Sequence, residues 1–216
     1  MKIVITGANR GIGLELAKQR ADGNEVIAVC REPSDALKAL GVHIESGVDV
    51  TDDGAVKALA DRLDGIDVLI NNAGLLRQET LEALDFDSIR QQLEVNALGP
   101  LRVTAALAPK MKDPSKVAII TSRMGSIADN TSGSRYGYRM SKAAVNMAGV
   151  SLAHDLKDRG VAVAILHPGF VKTDMTGHNG NVEPAEAASQ LWARIDGLSA
   201  DNSGTFWHAN GEILPW

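Results

Sequence analysis

The chain has 216 residues, 44% of them apolar and 23% charged, the balance of an ordinary globular domain. That length is enough for one well-buried domain and short for two. A net charge of −5 with no basic run argues against a nucleic-acid footprint. No apolar stretch approaches the roughly 20 residues of a membrane helix. The single cysteine, Cys30, excludes an intrachain disulfide and fits a reducing compartment. Met1-Lys2-Ile3-Val4-Ile5 runs straight into a glycine motif and leaves no room for a leader's apolar region, so a cytoplasmic protein is expected.

The first predicted element is a buried, β-branched strand over Lys2–Thr6, stopping at Gly7. Thr6-Gly7-Ala8-Asn9-Arg10-Gly11-Ile12-Gly13-Leu14 follows and opens a helix through about Ala21. Glycines let a backbone turn sharply against a phosphate, and a helix N-terminus offers unpaired N–H groups and a positive dipole end. The spacing, G-x-x-x-G-x-G with correct flanks, therefore predicts a nucleotide site. A second strand over Glu25–Cys30 ends at Arg31. In dinucleotide folds an acidic residue there usually meets a ribose 2′-hydroxyl, whereas an arginine suits a 2′-phosphate. Arg10, inside the loop, adds a second charge. The pair favours NADP(H) over NAD(H), with NAD(H) as the second option.

Ser34–Leu40 reads as a short helix, and His43–Ser46 with Val48 as an edge strand ending near Asp49-Val50. Thr51-Asp52-Asp53 caps a helix through Leu63, with acidic residues where the dipole favours them. A fourth strand over Ile66–Ile70 stops at Asn71-Asn72-Ala73-Gly74, the place where an open α/β sheet binds its ligand. Helical sequence from about Phe86 to Met111 is interrupted at Asn96-Ala97-Leu98-Gly99-Pro100, where a local kink is expected. Val117–Thr121 is a fifth strand, ending in Thr121-Ser122-Arg123-Met124-Gly125.

Tyr136 or Tyr138 then starts a helix that carries Lys142 and runs to about Arg159, with Gly160 ending it. Residues four apart share a helix face, so the Tyr138 hydroxyl and the Lys142 ammonium can meet at one site. A phenol with a pKa of about 10 is a poor acid–base group at neutral pH, and a nearby ammonium draws it toward the working range. Val161–Leu166 is a sixth strand, left through His167-Pro168-Gly169-Phe170-Val171-Lys172-Thr173. Pro184–Ile195 reads as the last helix, and Gly204–His208 with Glu212–Leu214 as a closing strand pair or a bulged strand. Strand and helix alternate throughout, predicting one α/β domain on a parallel sheet with right-handed crossovers.

Over nearly its full length the chain resembles the short-chain dehydrogenase/reductase family. The resemblance rests on the Thr6–Gly13 loop, Asp49-Val50, Asn71-Asn72-Ala73-Gly74, Asn96, Ser122, Tyr138 with Lys142, and Pro168-Gly169 with Thr173. Tyr136-Gly137-Tyr138-Arg139 and the ending Leu214-Pro215-Trp216 are similar to the C-factor and sniffer-type carbonyl reductases. The family likeness implies a single Rossmann-type domain over 1–216, a doubly wound parallel sheet of about seven strands with helices on both faces. It implies hydride exchange with a small carbonyl or alcohol substrate, no metal, no membrane or nucleic-acid partner, and a homodimer or homotetramer. Tyr138 would be the general acid, Lys142 would tune it and hold the nicotinamide ribose, and Ser122 would donate to the carbonyl oxygen. Asn96 would link Lys142 to a proton relay through an ordered water. Gly7, Asn9, Arg10, Gly11, Ile12, Gly13 and Arg31 would hold the adenosine phosphates. Asp49 and Val50 would border the adenine, Asn72, Ala73 and Gly74 the adjoining ribose, and Pro168, Gly169, Val171 and Thr173 the carboxamide.

Two departures from that pattern stand out. The family serine precedes its tyrosine by about a dozen residues, which leaves Ser126 competing with Ser122; Gly125 and the strand end favour Ser122, with Asp129–Arg135 as a lengthened loop. The segment between Thr173 and Pro184 is short, which suggests an open site, and His178, Asn179 and Asn181 read as solvated loop residues. The histidines His43, His154, His167, His178 and His208 show no metal-ligand spacing. No G-x-S-x-G elbow supports a hydrolase. Trp192, Trp207, Trp216 and Met147 read as core or interface packing. The likeness to C-factor keeps a second class open, a cofactor-binding signalling protein.

Overall fold

The computed structural model describes all 216 residues, Met1–Trp216. Seven strands form one parallel sheet: β1 (Lys2–Thr6), β2 (Glu25–Val29), β3 (His43–Glu45), β4 (Ile66–Asn71), β5 (Met111–Ile120), β6 (Val161–His167) and β7 (Phe206–His208). Their order across the sheet is β3-β2-β1-β4-β5-β6-β7. The chain winds outward from β1 in one direction, returns, and continues from β4 in the other. The crevice between the carboxyl ends of β1 and β4 is therefore the topological switch point, where such sheets bind ligands.

Helices cover both faces: α1 (Gly11–Arg20), α2 (Asp35–Lys38), α3 (Asp53–Arg62), α4 (Phe86–Leu93), α5 (Gly99–Leu107), α6 (Tyr136–Asp155) and α7 (Pro184–Asp196). Side chains alternate along each strand, so Val4, Leu69, Val117 and Val163 join α3, α5 and α6 in one core layer. Ile3, Ile70, Ala118 and Ala164 join α1 and α7 in the other. The sheet is thus buried on both faces, as its near-continuous apolar strands require.

The kink expected at Asn96–Pro100 is a π-helical turn at Glu94–Leu98, after which the helix restarts as α5 with Pro100 in its first turn, where no amide donor is needed. Two boundaries differ from the sequence reading. β5 begins at Met111, well before Val117, because Met111 pairs with Ile66 ahead of a register shift. The closing element is a strand parallel to β6 plus one antiparallel bridge between Trp207 and Ile213, so Glu212–Leu214 adds no full strand.

Candidate active site

A cleft of about 960 Å³ opens at the switch point, large enough for a dinucleotide with a small substrate. Gly7, Asn9, Arg10, Gly11, Ile12, Arg31, Asp49, Val50, Asn72, Ala73, Gly74, Pro168, Thr173, Tyr138 and Lys142 all line it. Gly13, Asn96, Ser122, Gly169 and Val171 do not. Gly13 lets α1 press on the loop: a Cβ there would collide with the Gly7 carbonyl and with Asn72 Nδ2. Gly169 and Val171 stand behind the lining, Val171 buried and bridged to Val182.

The glycine loop fits an anion. Arg10 at the N-cap of α1 makes no side-chain cap, so no side chain claims the first N–H groups of that helix. Arg10 reaches Asp174 at 3.3 Å and Arg31 reaches Asp49 at 3.8 Å, both as largely exposed ion pairs that a phosphate can displace. Asp49 itself accepts from the Thr51 backbone and hydroxyl. Burial pushes its carboxyl up, yet those bonds with Arg31 and Arg102 bring it below the usual carboxylate range.

The catalytic candidates converge from β5 and α6. Lys142 is 5% exposed and its Nζ donates to the Ile120 carbonyl at 3.0 Å. Nζ lies 5.6 Å from the Tyr138 ring centroid, as helical spacing requires. Burial brings the Lys142 ammonium down to about 8. Burial also pushes the Tyr138 phenol up to about 12, against the pull of the Ser122 hydroxyl and of Arg135. The lowering by Lys142 expected from spacing is not among the effects on the phenol, and burial holds Tyr138 as a neutral acid in the free protein.

Ser122 lies beside Tyr138, its Oγ accepting from the Met124 backbone at 3.1 Å. Ser126 is buried and its Oγ accepts from Asp129 N, which stitches the following loop. Of the two, Ser122 is the one in contact with the phenol. Asn96 is wholly buried in the π-helical turn: Oδ1 accepts from Leu75 N at 2.7 Å, and Nδ2 donates to Leu75 O and to Ser141 Oγ. Its side chain holds the loop after β4 against α6, and the structure places none of its side-chain atoms at Lys142.

Sequence reasoning missed Leu75, Arg77, Glu94, Asp174 and Met175 in the lining. The only signal was position: Leu75 and Arg77 follow the carboxyl end of β4, Asp174 and Met175 that of β6, and Glu94 opens the π-helical turn. It also missed His167, whose ring packs edge-on against His208 at 4.9 Å. Burial, with His208, Arg123 and Lys142 nearby, brings His167 down to about 3, so it stays neutral beside Lys142.

The comparisons agree with this geometry. The family model for short chain dehydrogenase matches residues 1–183. The chain is 43% identical over 223 aligned positions to 1-hydroxy-2-glutathionyl-2-methyl-3-butene dehydrogenase of a Rhodococcus species, covering 99% of each protein. It is 44% identical to C-signal of Myxococcus xanthus over 154 positions, 70% of this chain and 93% of that one. The solved structure of NADPH-bound carbonyl reductase from chicken fatty liver superposes with a TM-score of 0.91 at 31% identity, covering 100% of this chain and 98% of that one. A family match extending from the glycine loop past Thr173, on a fold with this cleft, means that the chain belongs to the short-chain dehydrogenase/reductase family.

Proposed function

We propose that this oxidoreductase uses NADP(H) to reduce the carbonyl of a small aldehyde or ketone, reversibly with the alcohol. The observation that carries the proposal is the meeting of Tyr138 and Lys142, with Ser122 beside the phenol, in a cleft that Arg10 and Arg31 also line. The bound nicotinamide supplies the hydride. Tyr138, neutral in the free protein, hands its proton to the carbonyl oxygen. Ser122 donates to the same oxygen and stabilises the charge that builds there. Lys142 holds a positive charge beside the phenol and offers its remaining N–H groups to the cofactor ribose. Arg10 and Arg31 select the 2′-phosphate, in keeping with the NADPH carried by the chicken reductase.

No helix is long and apolar enough to cross a membrane. Buried Cys30 fits a cytoplasmic setting. Met140 and Met147, exposed on one face of α6, support a homodimer or homotetramer through that helix. Sedimentation of Met147→Glu decides this: an unchanged assembly, or a monomeric wild type, removes α6 as the contact.

The test of the activity is loss of reduced-nicotinamide absorbance with NADPH and a panel of aldehydes and ketones. The reverse assay uses NADP⁺ and alcohols, because the Rhodococcus relative is named for a hydroxylated substrate. Silence in both directions by protein that binds NADPH sinks the proposal. The likeness to C-signal favours one second reading, a signalling protein that needs the fold and not the turnover. A cellular phenotype restored by Tyr138→Phe supports that reading, and failure to restore it supports the enzyme.

A further inference from the structure

Glu79 is a charged residue in a polar stretch, Arg77-Gln78-Glu79-Thr80, yet it is 2% exposed. All its side-chain hydrogen bonds come from neutral donors. Oε1 accepts from Gln92 Nε2 at 2.5 Å and Ser88 Oγ at 3.0 Å, both on α4, and Oε2 accepts from Gly137 N at 3.3 Å. Its own carbonyl accepts from Arg135 N at 2.8 Å. Arg135, the N-cap of α6, has a left-handed backbone and makes no side-chain cap. The missing cap is supplied from 58 residues away, and a carboxylate beside a helix N-terminus is favoured by the dipole as well as by the bond.

The turn that Glu79 caps is the one carrying Tyr138. A Cβ on Gly137 would come within 2.5 Å of Gln92 Nε2 and 3.0 Å of Ile89 Cα, so this turn sits directly on α4. On the far side of Tyr138, Ser141 Oγ donates to the Tyr138 carbonyl at 2.8 Å and accepts from Asn96 Nδ2 at 3.0 Å. Tyr138 is therefore bracketed by Glu79 at Gly137 and by Asn96 at Ser141. Both brackets grip the loop after β4, since Gln92 Oε1 accepts from Arg77 N and Asn96 binds both backbone groups of Leu75. We infer that Glu79 is a positioning residue for Tyr138, fixing the height of the phenol over the cleft and coupling it to the cleft-lining loop at Leu75 and Arg77. The inference rests on the oxidoreductase reading for its effect on turnover and on geometry alone for its effect on the turn.

Glu79→Gln is the informative variant because it conserves volume. Whichever way its amide lies, one N–H donor faces another, at Gly137 N or at Gln92 Nε2, whose own oxygen is taken by Arg77. Ser88→Ala is the control, removing a bond to the same carboxylate while leaving Gly137 untouched. Misplacing a reacting group by a fraction of an ångström lowers rates steeply, so Glu79→Gln is expected to lower kcat roughly tenfold or more. KM for NADPH should stay within about twofold, and Ser88→Ala should leave kcat at the wild-type value. Amide hydrogen exchange in Glu79→Gln should rise about tenfold across 136–141 and stay unchanged across the C-terminal half of α6. A wild-type kcat in Glu79→Gln, an equal loss in Ser88→Ala, or exchange that rises throughout the molecule overturns the inference. If the wild-type protein turns over no carbonyl, the activity proposal fails, and the exchange pattern still decides whether Glu79 holds the turn.

Discussion

Lys142 Nζ donates to the carbonyl of Ile120 at 3.0 Å, so the ammonium beside Tyr138 is held by the end of β5. This anchorage keeps a lysine in a place that burial makes unfavourable for its charge, lowering it to about 8. With Lys142 folded near 8 and its ordinary value at 10.5, the unfolded chain binds the extra proton between those values. Lys142 therefore opposes folding fully below about pH 8, and stability contributed at this position rises from there toward pH 10.5. Turnover runs the other way. In the free enzyme, kcat/KM for carbonyl reduction should fall as pH rises through about 8, where the charge beside Tyr138 is lost. Lys142→Met should abolish turnover and melt higher at pH 7, by on the order of 1 kcal/mol. A pH profile flat from 7 to 9.5, or a less stable Lys142→Met, contradicts this account.

Tyr138→Phe removes the proton and little else, because the ring keeps its place in the cleft beside Lys142. General acid catalysis contributes about 10²- to 10⁴-fold, and the variant should lose that much in kcat. NADPH affinity by fluorescence titration should change by less than about threefold. Turnover near the wild-type rate would take Tyr138 out of the proton transfer.

Much of this was legible in the sequence because its signals are local. The β-branched run into Gly7, the arginine just past β2 and the i, i+4 pair Tyr138/Lys142 each fix chemistry within one turn or strand. What was illegible depends on contacts across the sequence. Lys112, Asp113 and Pro114 make the start of β5 look like a loop, and only pairing with Ile66 draws the segment into the sheet. Asn96 reads as a flaw in a helix until its amide meets Leu75, twenty-one residues earlier. Glu79 reads as surface, because nothing local announces that Gly137 and Gln92 will close over it. The phenol's raised pKa was missed for a related reason: spacing reveals the ammonium but not the depth of burial.

The two candidate serines separate by what their hydroxyls touch. Ser122 acts on the Tyr138 phenol, whereas Ser126 ties down Asp129. Ser122→Ala should cost about 10²-fold in kcat, the usual loss for one donor to a developing oxyanion, besides about 1 kcal/mol of stability from its bond to the Met124 amide. Ser126→Ala should lose a similar amount of stability, from the bond to the Asp129 amide, but keep near-normal kcat. Kinetics and thermal melts on the two proteins decide, and a larger kcat loss in Ser126→Ala would exchange their assignments.

Arg31, two residues past the end of β2, has its guanidinium 76% exposed and 3.8 Å from Asp49, and Arg10 holds Asp174 in the same loose manner. Neither pair contributes much to the free protein, since exposed ion pairs are worth about 0–1 kcal/mol. Both cations are consequently available at the rim of the cleft, where a 2′-phosphate would gain a charge-assisted bond from each. Such a bond is worth about 1.5–3 kcal/mol, so Arg31→Ala should weaken NADPH by roughly ten- to hundredfold. NADH, with a hydroxyl at that position, should lose less than about threefold. Removing Arg31 also frees Asp49 to accept from a ribose hydroxyl, which pushes the preference further toward NADH. Isothermal titration of the variant with both cofactors measures the ratio, and equal losses for the two would remove Arg31 from 2′-phosphate recognition.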